Sequence, residues 1–140
     1  MLTIAECAYI AGIVDGEGCL TVSKRMPAKG KSYSYRPEAI IVQAPRGKAL
    51  IDWLQPRIGG AVHLTKSGTY ALRLAARDTE RLVRLIEPYS VIKADQCRLL
   101  CRFFATFEGG TSGRFDAREA IFQELSALHG GSKVNKRRVW

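Results

Sequence analysis

The sequence has no long apolar run, no paired cysteine motif and almost no histidine, and each absence removes a class of protein. Its apolar runs fall far short of the roughly 20 residues that a membrane-spanning helix needs, and the N-terminus lacks the basic segment of a secretion signal. His63 and His129 stand apart, and the four cysteines form no CxxC pair, which argues against a zinc site. We therefore expect an intracellular protein without a membrane span.

The cysteines that lie closest together are predicted to be core residues. Cys97 and Cys101 are one helical turn apart, within an apolar stripe that includes Leu100 and Phe104. Free cysteine packs as a small apolar side chain in such a setting. We expect both thiols to be reduced.

The chain is short and strongly basic. Its 140 residues fit one domain, which we place at residues 1–129, and lysine and arginine number 22 against 13 acidic residues, a net charge of +9. Residues 130–140 lack an apolar period and form a predicted basic tail. The charge favours a polyanionic partner such as nucleic acid, although an inert basic surface is a competing explanation.

The apolar periodicities predict helices that alternate with hairpins, and so an α+β fold with a mostly antiparallel sheet. The first helix begins after Thr3, which with Glu6 forms a capping box. The expected elements are a helix from Ile4 to Val14 that stops around Asp15 to Gly18, strands Cys19 to Arg25 and Tyr33 to Gln43, a helix Ala49 to Ile58, strands Ala61 to Lys66 and Thr69 to Ala76, a helix capped by Asp78-Thr79 and ending at Ile86, and helices Lys93 to Phe107 and Arg114 to Leu128.

The end of the first helix carries the most informative pattern. Gly12 and Gly16 are four residues apart and share one helical face, where small residues let another helix approach closely. Gly18 then allows a sharp turn into the first strand. A lone Gly-x-x-x-Gly spacing occurs often by chance, and an Asp-x-Glu pair at a helix end is usually solvated charge, but here the two are fused in the nine residues from Ile10 to Gly18, IAGIVDGEG.

This segment resembles the LAGLIDADG signature of homing endonucleases at all nine positions. The resemblance implies an αββαββα fold whose antiparallel sheet forms a DNA-binding saddle, with two signature helices packed at a domain or subunit interface. The chain contains one copy, so the resemblance implies a homodimer and a palindromic or nearly palindromic target. The implied interface residues are Tyr9, Gly12, Ile13 and Gly16.

The resemblance also implies the catalytic residues. Glu17, in place of the more frequent aspartate, would be the metal-binding acid, with Gly16 beside it, while Asp15 would bond to the backbone near helix ends. Gln43 and Lys93 match the glutamine and lysine of homodimeric members. Mg²⁺, or alternatively Mn²⁺, would be the cofactor. Where the family usually has a further basic residue this chain has Gly47, so Arg46 or Lys48 would have to substitute.

Strand alternation predicts the residues that face DNA. If Leu20 and Val22 face the helices, the intervening side chains point outward into the major groove. The base-contacting candidates are Thr21, Ser23, Arg25, Ser34, Arg36, Glu38, Lys66, Thr69 and Arg73. Phosphate contacts are expected from Lys24, Lys29, Lys31 and the tail, and Arg46 and Lys48 complete the predicted DNA-binding set.

Three functions compete at this point. The first is a metal-dependent endonuclease that cuts double-stranded DNA at a specific, long site. The second is a non-catalytic nucleic-acid-binding module, such as an intron RNA maturase or a DNA-binding regulator, for which RNA binding that survives competition by duplex DNA would be diagnostic. The third is a fragment of a larger fusion in which the second motif lies elsewhere.

Overall fold

The structure, a computed structural model, describes residues 1–26, 33–108 and 114–129. Its helices are α1 (Ile4–Glu17), α2 (Lys48–Ile58), α3 (Ala76–Ile86), α4 (Ala94–Ala105) and α5 (Phe115–Leu128), and a short 3₁₀ helix at Pro45–Gly47 precedes α2. The strands are β1 (Gly18–Arg25), β2 (Ser34–Gln43), β3 (Ala61–Leu64) and β4 (Tyr70–Leu74). The predicted α+β class is confirmed. No helix in the described ranges is long and apolar enough to cross a membrane.

The four strands form one antiparallel sheet in the order β1-β2-β4-β3. Cys19 lies opposite Ile40, Ile40 opposite Arg73, and Arg73 opposite Ala61, so one row of side chains crosses the whole sheet. We call the side that carries this row the outer face. The alternating residues of each strand point to the other side, toward the helices.

The core lies between the inner face of the sheet and helices α1, α2, α3 and α5, with α4 packed on α3 and α5. Burying a large aliphatic or aromatic side chain contributes about 1.5 to 3 kcal/mol each. The largest fully buried side chains are Ile10, Leu20, Ile41, Ile51, Leu54, Leu72, Leu74, Leu82, Ile86, Leu100, Phe103 and Leu125. Cys97 is fully buried and reduced as expected, and burial raises the pKa of its thiol to about 11.

Helix α3 begins earlier than its sequence predicts. Its N-cap is Ala75, not the Asp78-Thr79 pair. Asp78 instead accepts a hydrogen bond from the Gly60 N–H at 3.0 Å, and the buried Thr79 hydroxyl donates to the Leu74 carbonyl at 3.0 Å. The prediction of this cap was wrong because both polar side chains bond to segments that precede the helix.

The second hairpin is shorter than expected. Its strands end at Leu64 and begin again at Tyr70, so Lys66 and Thr69 belong to the turn and not to the strands. The Thr65 hydroxyl lies 2.6 Å from the Thr69 hydroxyl, and Gly68 has φ 85°, a conformation that glycine adopts without strain. A turn with hydrogen bonds between its hydroxyl groups therefore takes the place of the strand pairing that was predicted for Lys66 and Thr69.

Arg118 is buried, which its charge did not predict. It is 4% exposed. Its Nε donates to the Thr106 hydroxyl at 2.9 Å and its Nη2 donates to the Thr106 carbonyl at 3.1 Å. The guanidinium also lies 4.0 Å from the centre of the Phe107 ring. Arg118 therefore ties the end of α4 to the start of α5.

Replacing Arg118 by alanine should lower the free energy of unfolding by about 2 to 3 kcal/mol, because the buried Thr106 oxygens lose the charged donors of Arg118 and the packing of its side chain is lost. Urea denaturation followed by circular dichroism measures the change. Arg102→Ala, at an exposed position of α4, is the matched control and should change the same quantity by less than about 0.5 kcal/mol. Equal effects of the two substitutions would contradict the anchoring role of Arg118.

Candidate active site and nucleic-acid interface

Helix α1 passes into β1 without a loop. The helix begins with the predicted capping box, in which the Thr3 hydroxyl accepts from the Glu6 N–H and the Glu6 carboxylate accepts from the Thr3 N–H. Gly18 ends it: its N–H still donates to the Val14 carbonyl, while its own backbone is already extended. A Cβ at Gly18 would lie 2.8 Å from the Val14 oxygen, so only glycine fits this corner. Glu17 therefore stands where the helix meets the sheet.

Asp15 links the end of α1 to the segment between α3 and α4. Its carboxylate accepts hydrogen bonds from the Val91 N–H at 2.8 Å and the Lys93 N–H at 3.0 Å. Burial raises the pKa of Asp15, but these backbone donors outweigh burial and hold the pKa below its ordinary value. The expectation that Asp15 has a structural role is confirmed.

The Lys93 side chain also contacts the end of α1. It is the N-cap of α4, and its Nζ donates to the Asp15 carbonyl at 2.8 Å. The predicted catalytic lysine is therefore part-buried and directed toward the base of α1, two residues from Glu17. This contact argues against the alternative that Lys93 is simply a solvent-exposed surface lysine.

Gln43 lies at the same end of the sheet. Gly18 is paired with Ile41, so Gln43, two residues further along β2, extends past the point where α1 meets β1. A Cβ on Gly47 would lie 2.5 Å from the Gln43 Oε1, and a larger residue there would displace the amide. The structure thus accounts for Gly47 at a position where a basic residue was expected.

The two substitutes for that basic residue are differently placed. Arg46 is exposed in the 3₁₀ helix. Lys48, the first residue of α2, is exposed and forms an ion pair with Asp52 at 2.9 Å. The hydrogen bond to Asp52 raises the pKa of Lys48. Both cations flank the Gln43 end of β2, where a phosphate would find positive charge.

Glu17 itself is exposed, and it has no hydrogen bond or ion pair to any described residue. Of the two acids in the signature, Asp15 is held by backbone donors and only Glu17 is available to a ligand. Across the described ranges no three histidine, cysteine or acidic side chains are grouped as a metal site would require. Hard cations such as Mg²⁺ take several oxygen ligands, so the Glu17 carboxylate of one chain does not by itself complete such a site.

One face of α1 is open. A Cβ at Gly12 or Gly16 would meet no atom within 4 Å. Ala5 and Tyr9 continue the same stripe and are exposed, while the opposite side of the helix is buried. We call Ala5, Tyr9, Gly12 and Gly16 the open face. Since a helix with apolar residues on all sides is typically buried on all sides, the open face of α1 is a candidate surface for a second helix.

The open face is bordered by α2. The Tyr9 ring packs edge-on against Trp53, with centroids 5.2 Å apart. Arg57 lies 4.1 Å from the centre of the Trp53 ring and pairs with Glu6 at 3.3 Å. Ile13, the remaining predicted interface residue, is partly buried against the core. These contacts fix the orientation of Tyr9 beside the open face.

The outer face of the sheet carries seven of the fourteen individually predicted DNA-binding side chains. Three cross-strand pairs join Thr21 to Glu38, Ser23 to Arg36 and Arg25 to Ser34, and Arg73 lies opposite Ile40. All alternate with residues that face the helices. Arg73 and Glu38 form an ion pair at 3.1 Å. Seven predicted residues therefore share one surface: Thr21, Ser23, Arg25, Ser34, Arg36, Glu38 and Arg73.

Other predicted contacts lie elsewhere. Lys24 points to the helix side of the sheet, where it pairs with Glu119 at 3.0 Å and lies 4.4 Å from the centre of the Tyr33 ring. Lys24, which was predicted to contact phosphates, therefore does not lie on the outer face. Lys66 and Thr69 lie in the β3–β4 turn. Lys29, Lys31 and the tail from 130 to 140 fall outside the described residues.

Replacing Asp15 by asparagine should lower the free energy of unfolding by about 1 to 3 kcal/mol, because one of its two acceptor oxygens becomes an NH₂ group facing an N–H donor. Urea denaturation at neutral pH measures this, with Asp52→Asn, which breaks only an exposed pair, as the control at about 0.5 kcal/mol or less.

The same pair of proteins also tests the charge of Asp15. A depressed carboxyl pKa stabilises the folded state above the unfolded-state pKa of about 4, and this contribution is lost as the pH falls through the lower folded-state value. The stability difference between wild type and Asp15→Asn should therefore shrink only in acid. A difference that is absent at neutral pH would contradict the link.

Solved structures of known proteins share this fold. The homing endonuclease I-TnaI is 26% identical, with 94% of this chain and 93% of that chain covered at a TM-score of 0.77. I-CvuI, in complex with the I-CreI target, is 19% identical over 92% of this chain and 85% of that one, with a TM-score of 0.79. The LAGLIDADG homing endonuclease I-LtrWI, bound to target DNA, is 20% identical over 89% of this chain but 45% of its own, with a TM-score of 0.68. No family model and no curated protein matches the sequence. The chain, with its IAGIVDGEG segment at the end of α1, therefore has the fold of the single-motif LAGLIDADG homing endonucleases.

Proposed function

We propose that the chain is one half of a homodimeric, metal-dependent endonuclease that cuts double-stranded DNA at a long, nearly palindromic site. One observation carries the proposal: Glu17 is exposed and unpaired among the described residues, at the end of a helix whose open face bears Gly12 and Gly16. Two similar proteins, I-CvuI and I-LtrWI, are described with their DNA targets, and I-CvuI with calcium or magnesium. The fold and the free acid together support this activity.

The residues at the base of α1 suit phosphodiester hydrolysis. A divalent cation such as Mg²⁺, or alternatively Mn²⁺, when bound would make a water nucleophilic and stabilise the leaving oxygen. Glu17 and the backbone of Gly16 would hold it. Lys93, whose Nζ is positioned by the Asp15 carbonyl, would offset negative charge at the phosphate, and the Gln43 amide would orient water.

The homodimer follows from the open face and the single acid. Glycines let two helices cross with their backbones close together, and a twofold axis beside Gly12 and Gly16 brings a second copy of Glu17 to the same end of the sheet. Two carboxylates then serve the metal site that one chain cannot complete. Each subunit presents its own outer face to one half of the DNA.

The size of the sheet sets the length of the target. Strand β2 has 10 residues and so spans about 33 Å, the length of about ten base pairs, or about twenty for the dimer. Arg25 and Arg36, exposed on the outer face, have the donor geometry to bind guanine. Arg46 and Lys48 would contact phosphates.

Replacing Glu17 by glutamine should abolish cleavage of a randomised duplex library in Mg²⁺ while leaving DNA binding unchanged, because the amide keeps the shape but loses the charge that holds the metal. Gel analysis of cut ends and mobility-shift assays measure the two activities. Glu124→Gln, an exposed acid on α5, is the control and should cut as wild type does. Undiminished cutting by Glu17→Gln would overturn the assignment of this acid.

Replacing Gly12 by leucine should leave the monomer folded but abolish dimerisation and cleavage. The added side chain meets open space in one chain and improves helix propensity by about 1 kcal/mol, yet it would hold two crossed helices apart. Sedimentation velocity measures the dimer, with Ala120→Leu, exposed on α5, as control.

A Gly12→Leu protein that dimerises like wild type would exclude the open face as the interface. Wild-type protein that stays monomeric at high concentration, even with DNA, would instead support the interpretation that the second motif lies in another part of a longer chain.

A further inference from the structure

The outer face of the sheet changes character along its length. The row that joins Thr21 to Glu38, and the rows farther from Glu17, carry polar or charged side chains. The two rows nearer to Glu17 are mainly apolar: one joins Cys19 to Ile40, and the next joins Val42 to Ala71. We call Cys19, Ile40, Val42 and Ala71 the apolar patch. Val42 is 41% exposed and Ile40 is partly exposed.

The one charged residue in these rows turns away from the apolar patch. Arg73 lies opposite Ile40, but its guanidinium reaches Glu38, one row further from Glu17, at 3.1 Å. Ala61 and His63 occupy the remaining positions of the two rows on β3. The part of the outer face nearest to the acid therefore offers mainly methyl groups to a ligand.

The chemistry of the major groove identifies what such a surface can recognise. Hydrogen-bonding groups of adenine, guanine and cytosine would lose water against Ile40 and Val42 without gaining a partner. The C5-methyl of thymine is the apolar group that the major groove exposes. Arginines on the same face, Arg25 and Arg36, supply the charge complementarity that holds DNA against it.

We propose that Ile40 and Val42 select thymine at the innermost base pairs of each half-site by packing on its methyl group. This inference rests on the proposed endonuclease function and adds the identity of the bases beside the cut. The two side chains are two strand positions apart, about 6.6 Å, so the thymines they select should be about two base pairs apart.

The test compares thymine with uracil, which lacks only the methyl group. Two duplexes with a selected target sequence, one with deoxyuridine at the inner thymines, carry different fluorophores and compete for wild-type protein in Mg²⁺. The ratio of cleavage rates should favour thymine by about fourfold for each methyl removed. Deoxyuridine at thymines in the outer base pairs should have no such effect.

A matched pair of variants locates the contact. Val42→Thr keeps the shape of the side chain and should reduce the thymine preference to near one at the pair that it contacts. Val62→Thr is the same substitution at a valine of similar exposure on the opposite side of the sheet, and it should keep the full preference. A 5-methylcytosine should be preferred over cytosine at the same inner positions, which separates a methyl contact from recognition of DNA shape.

Each contrary outcome has its own meaning. If wild-type protein cleaves no duplex, the proposed function fails. If it cleaves its target but cuts thymine and uracil duplexes equally, or if Val42→Thr keeps the preference, this inference alone is overturned. Loss of the dimer in Val42→Thr would also overturn it, because the apolar patch would then be covered by a second copy of the chain.

Discussion

The carboxylate of Asp15 is the contact on which the candidate site depends. It joins the end of α1 to the backbone of Val91 and Lys93, which lie 76 and 78 positions away in the chain. Without it the segment between α3 and α4 would lose two hydrogen bonds that fix its position against α1, the position in which the Lys93 amino group meets the Asp15 carbonyl. One partly exposed acid thus positions both the helix that carries Glu17 and the lysine beside it.

The two acids of the signature divide their tasks through helix geometry. Residues two apart on an α-helix point about 200° away from each other, so when Asp15 faces the protein Glu17 must face out. Gly18 then turns the chain within a single residue, because a Cβ there would meet the Val14 carbonyl. The free acid is held at the rim of the sheet that would bind DNA, and the open face of α1 lies alongside it. The same nine residues can therefore serve folding, assembly and chemistry.

Local patterns predicted much of this arrangement. The capping box located the start of α1, and alternation along β1 and β2 correctly separated Thr21, Ser23 and Arg25 from the core. The same alternation also turns Lys24 inward and Ile40 and Val42 outward, so the orientation of these three side chains could have been predicted from the sequence. Lys24 was assigned to DNA from its charge alone, and its partner Glu119 lies far away in the chain.

What the sequence could not predict depends on distant contacts. The hydrogen bonds of Asp15 to the α3–α4 segment, the burial of Arg118 against Thr106, and the bond of Asp78 to Gly60 all join elements that no local period relates. Gly47 is explained only once the Gln43 side chain is seen to occupy the space beside it. Where a polar side chain has several available hydrogen-bond partners, tertiary structure determines which one it binds.

The central claim is that one chain supplies half of a catalytic site, and mixing two forms of the protein tests it most directly. Wild-type and Glu17→Gln chains are mixed in equal amounts, unfolded and refolded together, and all strand breaks in a selected target, single-strand nicks included, are counted. If both acids are needed, only dimers with two wild-type chains cut either strand, and the number of strand breaks should fall to about a quarter of that of wild type at the same total concentration. A fall to only about half, the share of wild-type chains, would show that each chain acts alone and would contradict the account.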